Sequence, residues 1–140
     1  MSEVFADNEN FDKVDLKTNP LKKGEYESCS FKNCDLSDAD ISGIKFLECD
    51  FINCNLSLAN LRDTSLQDIK FKDCKMLGLR FEQCNKFDLS FSVDNCQLNH
   101  SSFYQVKLKK FRFKNTQLQE SDFTECDLTG AVLDNCDLAR

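Results

Sequence analysis

The chain has 140 residues, of which 41% are apolar, and its formal net charge is −6 at pH 7. This length and apolar fraction suit one domain with its own core, and the acidic balance disfavours a nucleic-acid-binding protein of the usual basic kind. The N-terminus, MSEVFADNEN, has no basic segment and no apolar run, and no stretch approaches the roughly 18 apolar residues of a membrane span. We therefore expect a cytoplasmic protein that is neither exported nor bound to a membrane.

Residues 1–23 have the weakest pattern in the chain. Phe11, Leu16 and Leu21 are spaced five residues apart, but the residues two positions before Phe11 and Leu21 are polar, and Pro20 interrupts the segment. Repeat domains need a cap over their first coil, and chain termini are often disordered. We expect a partly disordered start followed by a strand-like cap.

From residue 24 to residue 140 a large apolar residue recurs every five positions. We call this position i, and a small or apolar residue stands at i−2, as in ECDFINCNLSLANL, where Phe51, Leu56 and Leu61 occupy position i. Five steps turn a helix by about 500°, and an odd period places successive residues of a strand on opposite faces. The chain must therefore turn a corner every five residues, and its short repeats must stack as a solenoid.

Residues 20 positions apart resemble one another, which indicates four repeats in each coil. Stacked columns of core residues are predicted for Phe31, Phe51, Phe71 and Phe91, continued by Phe113; for Leu36 and Leu56; and for Cys34, Cys54 and Cys74. Because neighbouring coils lie about 4.8 Å apart, the sequence predicts a square rod of five to six coils.

One segment interrupts the period. In CNKFDLSFSVDNC, residues 84–96, Lys86 stands at a core position, and the register slips by two residues after Phe91. We expect a bulge near residues 84–97 rather than a functional loop.

The repeats CDLSDADISG, CDFINCNLSLANLR and CDLTGAVLDNCDL resemble those of pentapeptide-repeat proteins, whose unit reads A(D/N)Lxx. The resemblance covers residues 24–140 and implies an all-β fold, a right-handed quadrilateral β-helix. Within that family the chain is most similar to the bacterial quinolone-resistance type, whose rods bind DNA gyrase and topoisomerase IV and are thought to imitate duplex DNA. The projecting loops and the apolar C-terminal helix of that type are not evident in this sequence.

The final repeats stop in the middle of a coil, at Leu138-Ala139-Arg140. An open β edge beside Leu133 and Leu138 is a surface that proteins normally cover or pair. Either two rods meet there or the natural protein continues. We expect a homodimer joined tail to tail through this C-terminal coil.

The candidate partner-binding surface is one acidic face of the rod. Its acids are Asp40, Asp63, Glu82, Asp122 and Glu125, and the adjacent face adds Glu25, Glu27, Glu48 and Asp68. Duplex DNA carries one negative charge per about 1.7 Å of axis, whereas residues 95–119 of this chain contain no acid and several basic residues. A uniform DNA mimic is therefore not expected, and the competing interpretation is an ordinary solvated surface.

All nine cysteines stand at position i−2, and we expect all nine to be buried. A small, weakly polar side chain suits a tight inward position, so we interpret these cysteines as structural. The spacing C-x4-C places neighbours on different walls, unlike a zinc site, and a reducing compartment disfavours disulfides. We expect no metal and no other cofactor.

No arrangement of residues predicts catalysis. His100 is followed by Ser101 and Ser102, but a triad needs a nucleophile held against its base by a third group, and a solvated wall offers no pocket. Two hypotheses for a non-enzymatic, protein-binding rod remain. The first is a topoisomerase-binding module recognised through its acidic faces, and the alternative is a generic interaction scaffold with an unknown partner.

Overall fold

The structure, a computed structural model, describes residues 3–109 and 111–139. These residues form a parallel β-solenoid of about six turns, in which the described part contains no α-helix and one short 3-10 turn at Phe81–Gln83. No helix of the described part is long and apolar enough to cross a membrane. The strands are β1 (Val4–Asp7), β2 (Asn10–Asp12), β3 (Gly24–Glu27), β4 (Ser30–Lys32), β5 (Lys45–Leu47), β6 (Asp50–Ile52), β7 (Ser65–Gln67), β8 (Ile69–Lys72), β9 (Phe91–Asp94), β10 (Arg112–Lys114) and β11 (Val132–Asp134). The predicted all-β repeat fold is confirmed.

Each coil has four walls. The first wall contains the sheet β1-β3-β5-β7 and continues beyond a turn with the bridge between Lys107 and Asp127. The second wall is the seven-stranded sheet β2-β4-β6-β8-β9-β10-β11. The third and fourth walls are held by isolated parallel bridges, such as Asp35 with Asn55 and Asp40 with Asn60. The residues at position i are Tyr26, Phe46 and Leu66 on the first wall; Phe31, Phe51 and Phe71 on the second; Leu36, Leu56 and Met76 on the third; and Ile41, Leu61 and Phe81 on the fourth. The rod is therefore square in section, as the 20-residue period predicts.

The chain turns most of its corners at position i+2, through a left-handed backbone conformation. Asn33, Asn53 and Asn115 have φ angles of 56°, 53° and 50°. Of the 19 described non-glycine residues with positive φ, 11 are Asn or Asp, which tolerate this conformation better than other L-residues. The five-residue period is thus a short extended segment followed by one left-handed residue.

The core is a set of stacked side chains at positions i and i−2. All of the predicted core residues are buried, namely Phe31, Phe51, Phe71, Phe91, Leu36, Leu56, Cys34, Cys54 and Cys74. Phe31 stacks on Phe11 at 4.8 Å and on Phe51 at 4.7 Å between ring centroids. Parallel strands in register bring identical positions of successive coils into contact, so each column extends along the rod.

The register of Phe91 differs from the prediction. Phe71 pairs with Val93, and Phe91 pairs with Ile69, which stands at position i−2. The predicted placement of Phe91 in the column of Phe71 was therefore wrong, because the two extra residues lie before Phe91 and not after it. Phe91 is accommodated at a position that usually holds a small residue because its ring packs against Phe81 at 4.9 Å and Phe111 at 4.7 Å.

Residues 4–23 form a first coil, where the sequence predicted a partly disordered start and a cap. Strand β1 pairs with β3 and strand β2 pairs with β4, both in parallel register. The backbone of β1 lies very close to Gly24, because a Cβ on Gly24 would lie 2.0 Å from the carbonyl oxygen of Val4. Glycine is therefore required there, and the part of the prediction that concerns Met1 and Ser2 lies outside the described residues.

Candidate protein-binding surfaces

Many acids on the outside of the rod hold its corners. The carboxylate Oδ1 of Asp35 accepts hydrogen bonds from Ser37 N at 3.0 Å and from Ser37 Oγ at 2.6 Å. Asp40 accepts a bond from Ser42 N at 3.0 Å in the same way. These bonds, first of all those from the serine hydroxyls, lower the pKa of both carboxyls below the usual value. Asp35 and Asp40, which both stand at position i−1, therefore stabilise the corners of the rod.

The fourth wall collects all five acids of the predicted binding face, but each has an intramolecular partner. Asp40 lies 3.3 Å from Lys23 Nζ, and Asp63 Oδ1 accepts a hydrogen bond from Asn85 at 3.1 Å. Glu125 accepts one from Gln105 Nε2 at 3.0 Å.

The other two acids of this wall are also engaged. Glu82 forms an ion pair with Arg80 at 3.1 Å, and only 18% of its side chain is exposed. Asp122 accepts a hydrogen bond from Thr124 N at 2.8 Å. Because Lys23 and Arg80 pair with Asp40 and Glu82, the fourth wall does not present a continuous negative surface.

The first wall presents a denser negative surface. Its acids are Asp7, Glu25, Glu27, Glu48 and Asp68, and the interleaved base is Lys45. Within the described residues, none of these acids lies within 4 Å of a basic group. Strands about 4.8 Å apart place the five carboxylates along about 14 Å of the rod, or one per about 3 Å, close to the 3.4 Å per phosphate of one DNA strand.

The sheet of the first wall ends at β7, where the two extra residues lie. Ser90 N donates a hydrogen bond to Leu66 O at 2.9 Å, and Ser90 Oγ accepts one from Asp68 N at 2.8 Å. The turn that leads to Ser90 contains Phe87, which is 72% exposed. The sequence predicted a bulge but did not single out Phe87, although its position outside the five-residue period was a usable signal.

A groove lies beside this turn on the same wall. Its volume is about 340 Å³, and it is lined by Lys86, Asp88, Leu89, Gln105, Val106 and Lys107. Leu89 and the buried Val106 give it an apolar floor, and Lys86, Lys107 and Asp88 give it a charged rim. The turn therefore combines an exposed aromatic side chain with a groove large enough for such a side chain.

The cysteines act as hydrogen-bond donors between coils. Cys54 Sγ donates to Phe31 O at 3.1 Å and Cys49 Sγ donates to Tyr26 O at 3.2 Å, and the hydroxyl of Thr64 makes the equivalent bond to Ile41 O. Burial raises the pKa of Cys49 to about 11. Within the described residues, no three His, Cys, Asp or Glu side chains are arranged to hold a metal ion.

The prediction that all nine cysteines are buried was wrong for two of them. Cys126 and Cys136 are only partly buried, whereas the other seven are buried. These two lie in the last described coil, where Leu128, Leu133 and Leu138 are also 42%, 36% and 53% exposed. Core positions need a coil on both sides, and the predicted tail-to-tail homodimer through these residues stays a prediction.

His100 and the serines after it do not converge. His100 is 61% exposed and its Nδ1 lies 3.6 Å from Glu120, whereas Ser101 is buried and donates to Met76 O at 3.2 Å. Ser102 accepts a hydrogen bond from Tyr104 N. The side chains of His100, Ser101 and Ser102 therefore do not form a catalytic triad.

Coils of four five-residue repeats, with left-handed corners and stacked aromatic columns, define a β-solenoid of the pentapeptide type. The family model described as a pentapeptide repeat region matches residues 25–92, and the model described as pentapeptide repeats (8 copies) matches residues 96–135. The chain belongs to the pentapeptide-repeat proteins.

Several solved structures are similar to this chain. A trypsin-treated variant of QnrB1, a plasmid-mediated fluoroquinolone resistance protein, is 23% identical, with 96% of this chain and 82% of that chain covered and a TM-score of 0.41. Rfr23 from the cyanobacterium Cyanothece 51142 is 16% identical, with 97% and 85% covered and a TM-score of 0.31. HetL from the cyanobacterium Nostoc sp. strain PCC 7120, which is involved in heterocyst differentiation regulation, is 16% identical, with 98% and 69% covered and a TM-score of 0.32. No curated protein matches the chain.

Proposed function

We propose that this solenoid is a non-enzymatic binding module that recognises a basic protein surface through its acidic first wall. We further propose that the partner is a bacterial type II topoisomerase, either DNA gyrase or topoisomerase IV, and that the wall occupies part of the surface that otherwise contacts DNA. The observation that carries the proposal is the charge of the first wall up to the turn, where one lysine stands among five outward carboxylates. Three of them lie on strands β1 and β3, and Glu48 and Asp68 lie at the corners after β5 and β7.

Charge density supports a DNA-binding protein as the partner. A protein that binds duplex DNA aligns basic side chains with phosphates, and these side chains attract any rigid array of negative charge with similar spacing. The parallel sheet fixes the backbone under Glu25 and Glu27, so little backbone conformational entropy is lost on binding. The resemblance of the repeats to the quinolone-resistance type supports the choice of topoisomerases among DNA-binding proteins.

The fourth wall has a secondary place in this proposal. Asp40, Asp63 and Glu82 lie next to the first wall around one corner of the rod, but their intramolecular bonds must loosen before they can bind a partner. We therefore assign them a smaller share of the binding than the first-wall acids.

The first experiment measures gyrase supercoiling over a titration of this protein, with and without ciprofloxacin, together with direct binding to gyrase and topoisomerase IV by surface plasmon resonance. The proposal expects saturable binding that weakens as salt is raised, and supercoiling that depends on the amount of added protein. No binding to either enzyme at low salt would reject the topoisomerase as the partner.

A set of charge reversals then locates the surface. The triple variant Glu25→Lys, Glu27→Lys, Glu48→Lys should abolish binding, because it reverses the first wall. The control reverses three acids of the second wall, Asp50, Asp94 and Asp134, and changes the net charge by the same amount. Equal loss in both variants would show that only net charge matters and would reject the first wall as the site. Loss confined to a third variant, with Asp40, Asp63 and Glu82 reversed, would assign binding to the fourth wall.

The alternative function is a scaffold for another protein. The third wall favours it, because its middle coils expose Leu58 beside Asn55, Ser57 and the partly buried Leu77, with little charge. Depletion of charge around apolar side chains is typical of the core of a protein interface. Failure of both topoisomerases to bind, with Leu58→Asp weakening the capture of a different partner, would support this alternative.

A further inference from the structure

We propose that the first wall also forms a weak antiparallel contact with a second copy of this chain, in which Phe87 of each copy occupies the groove beside the turn of the other. Neither the fold nor the proposed function requires this contact. It follows from three features of the wall: an exposed aromatic side chain, an adjoining groove, and a change in the sign of charge from one side of the turn to the other.

The exposed side chain and the groove are complementary to each other. Phe87 is 72% exposed, although burial of an aromatic side chain is favourable. The groove of about 340 Å³ has room for a phenyl ring, and Leu89 and Val106 provide apolar contacts. Phe87 cannot reach deeply into a groove that its own turn helps to form, whereas the same residue of a second copy can.

A two-fold axis allows both insertions at once. Because Phe87 and the groove lie side by side on one wall, an axis between them, parallel to the strands, places each Phe87 over the other copy's groove. A contact that repeats itself about a two-fold axis closes after two copies and does not propagate. The proposal therefore predicts a dimer and no larger assembly through this surface.

The charges of the wall favour the antiparallel orientation. Before the turn the wall ends with Asp68, and after it the wall continues with Lys107 and Lys109. The two-fold axis brings Asp68 of one copy to the two lysines of the other. One coil further out it brings Lys45 of one copy near Asp127 of the other, which already lies 3.5 Å from Lys109 of its own copy. The contact between Asp68 and the lysines therefore supplies most of the charge complementarity.

The size of the contact sets its strength. Five coils at about 4.8 Å and a wall about 12 Å wide give a face on the order of 300 Å² per copy, against about 800 Å² in a stable interface of standard size. The dimer is therefore transient and sensitive to salt. It leaves Asp7, Glu25 and Glu27 uncovered, so a partner can still bind the acidic end of the wall.

Sedimentation equilibrium over a wide range of protein concentration tests the contact. With Leu133→Lys in place to remove any contact at the tail, the chain should shift from monomer towards dimer at high concentration and low salt, and adding Phe87→Asp should leave a monomer. Leu58→Asp is the matched control, because Leu58 is 61% exposed but lies on the corner after the third wall. This control should associate as the unmodified chain does. Monomers at every concentration, or equal loss of association in both variants, would overturn the proposal.

A third variant separates this contact from the tail-to-tail homodimer. Leu133→Lys changes an exposed residue of the last described coil and leaves the first wall intact. The proposal expects its association through the first wall to persist. If Leu133→Lys is a monomer while Phe87→Asp still associates, the contact lies at the tail and the first wall is rejected.

Charge exchange and cross-linking locate the contact within the dimer. Lys107→Glu with Lys109→Glu should weaken association at least tenfold, and adding Asp68→Lys to the same chain should restore part of it. A photoreactive phenylalanine analogue at position 87 should cross-link to residues 86–89 or 105–107 of the second copy. A restored charge pattern without restored association, or cross-links only elsewhere, would reject the geometry.

Discussion

The ring of Phe51 lies nearly parallel to the ring of Phe31, with 4.7 Å between the centroids and an angle of 8° between the planes. Phe51 also stacks on Phe71 at 5.3 Å, so it has an aromatic neighbour in the coil on each side. This column runs through the second wall, which is the longest sheet of the rod. Each ring therefore stabilises two neighbouring coils as well as its own.

Truncation of a ring in this column should destabilise the fold. Phe51→Ala removes a side chain that is 1% exposed and leaves a cavity between two coils, so we expect the free energy of unfolding to fall by roughly 3 to 5 kcal/mol. Lys32→Ala, at an exposed position next to Phe31, should change it by less than about 0.5 kcal/mol. Urea denaturation of the two variants measures the difference, and equal effects would contradict the register.

A single substitution at the corner residue Glu48 should stabilise the fold. Glu48 has a φ angle of 53°, a conformation that costs most L-residues roughly 1 to 2 kcal/mol and costs Asn less. Glu48→Asn should therefore raise the free energy of unfolding by up to about 1 kcal/mol. The control is Glu25→Asn on strand β3, where Asn is a poor strand former and no gain is expected. Thermal unfolding followed by circular dichroism compares the two, and a gain at Glu25 alone would contradict the role given to the corners.

Acid should destabilise the rod through its corner carboxylates. Hydrogen bonds from Ser37, Ser42 and Thr129 lower the pKa of Asp35, Asp40 and Asp127 in the folded state. The stabilisation is present above the unfolded pKa of about 4 and is lost as the pH falls through the lower folded pKa. The melting temperature should therefore fall as the pH drops below about 4.

The substitution Asp35→Asn provides the control for this pH dependence. Asn occupies the equivalent position in the next coil, where Asn55 Oδ1 accepts a hydrogen bond from Ser57 N at 3.0 Å. An amide oxygen accepts this bond at any pH, so the variant should melt close to the unmodified chain at pH 7 and should lose less stability on acidification. An unchanged acid slope in the variant would argue against Asp35 as a contributor.

Thiol labelling should follow the position of each cysteine along the rod. Burial raises the pKa of Cys84 to about 12, and a thiolate is the form that reacts. Cys126 and Cys136 are only partly buried and should be modified first by iodoacetamide in the native protein. Mass spectrometry of the time course measures the order, and labelling of Cys54 or Cys74 before these two would contradict the packing of the core.

The candidate binding surface was only partly predictable. The acids of the fourth wall share one face, as the 20-residue period predicts, but the pattern cannot show that Lys23 and Arg80 pair with Asp40 and Glu82. The first pair depends on the reach of Lys23 to the next coil, and the second depends on the rotamers of Arg80 and Glu82 on one coil. Neither has a signature in a repeat. The first wall became the better candidate only when the exposed positions of four strands were seen together.

The five-residue period of apolar side chains was enough to predict the architecture, because neither a helix nor a flat strand buries side chains at that spacing. Leu36 and Leu56 lie where the period places them, and Asn or Asp at position i+2 supplies the left-handed corner. The tertiary structure alone decided where the two extra residues are absorbed, because either side of Phe91 preserves an apolar pattern. It placed them before Phe91, since that ring fills space beside Phe81 and Phe111, and this choice left Phe87 exposed on the first wall.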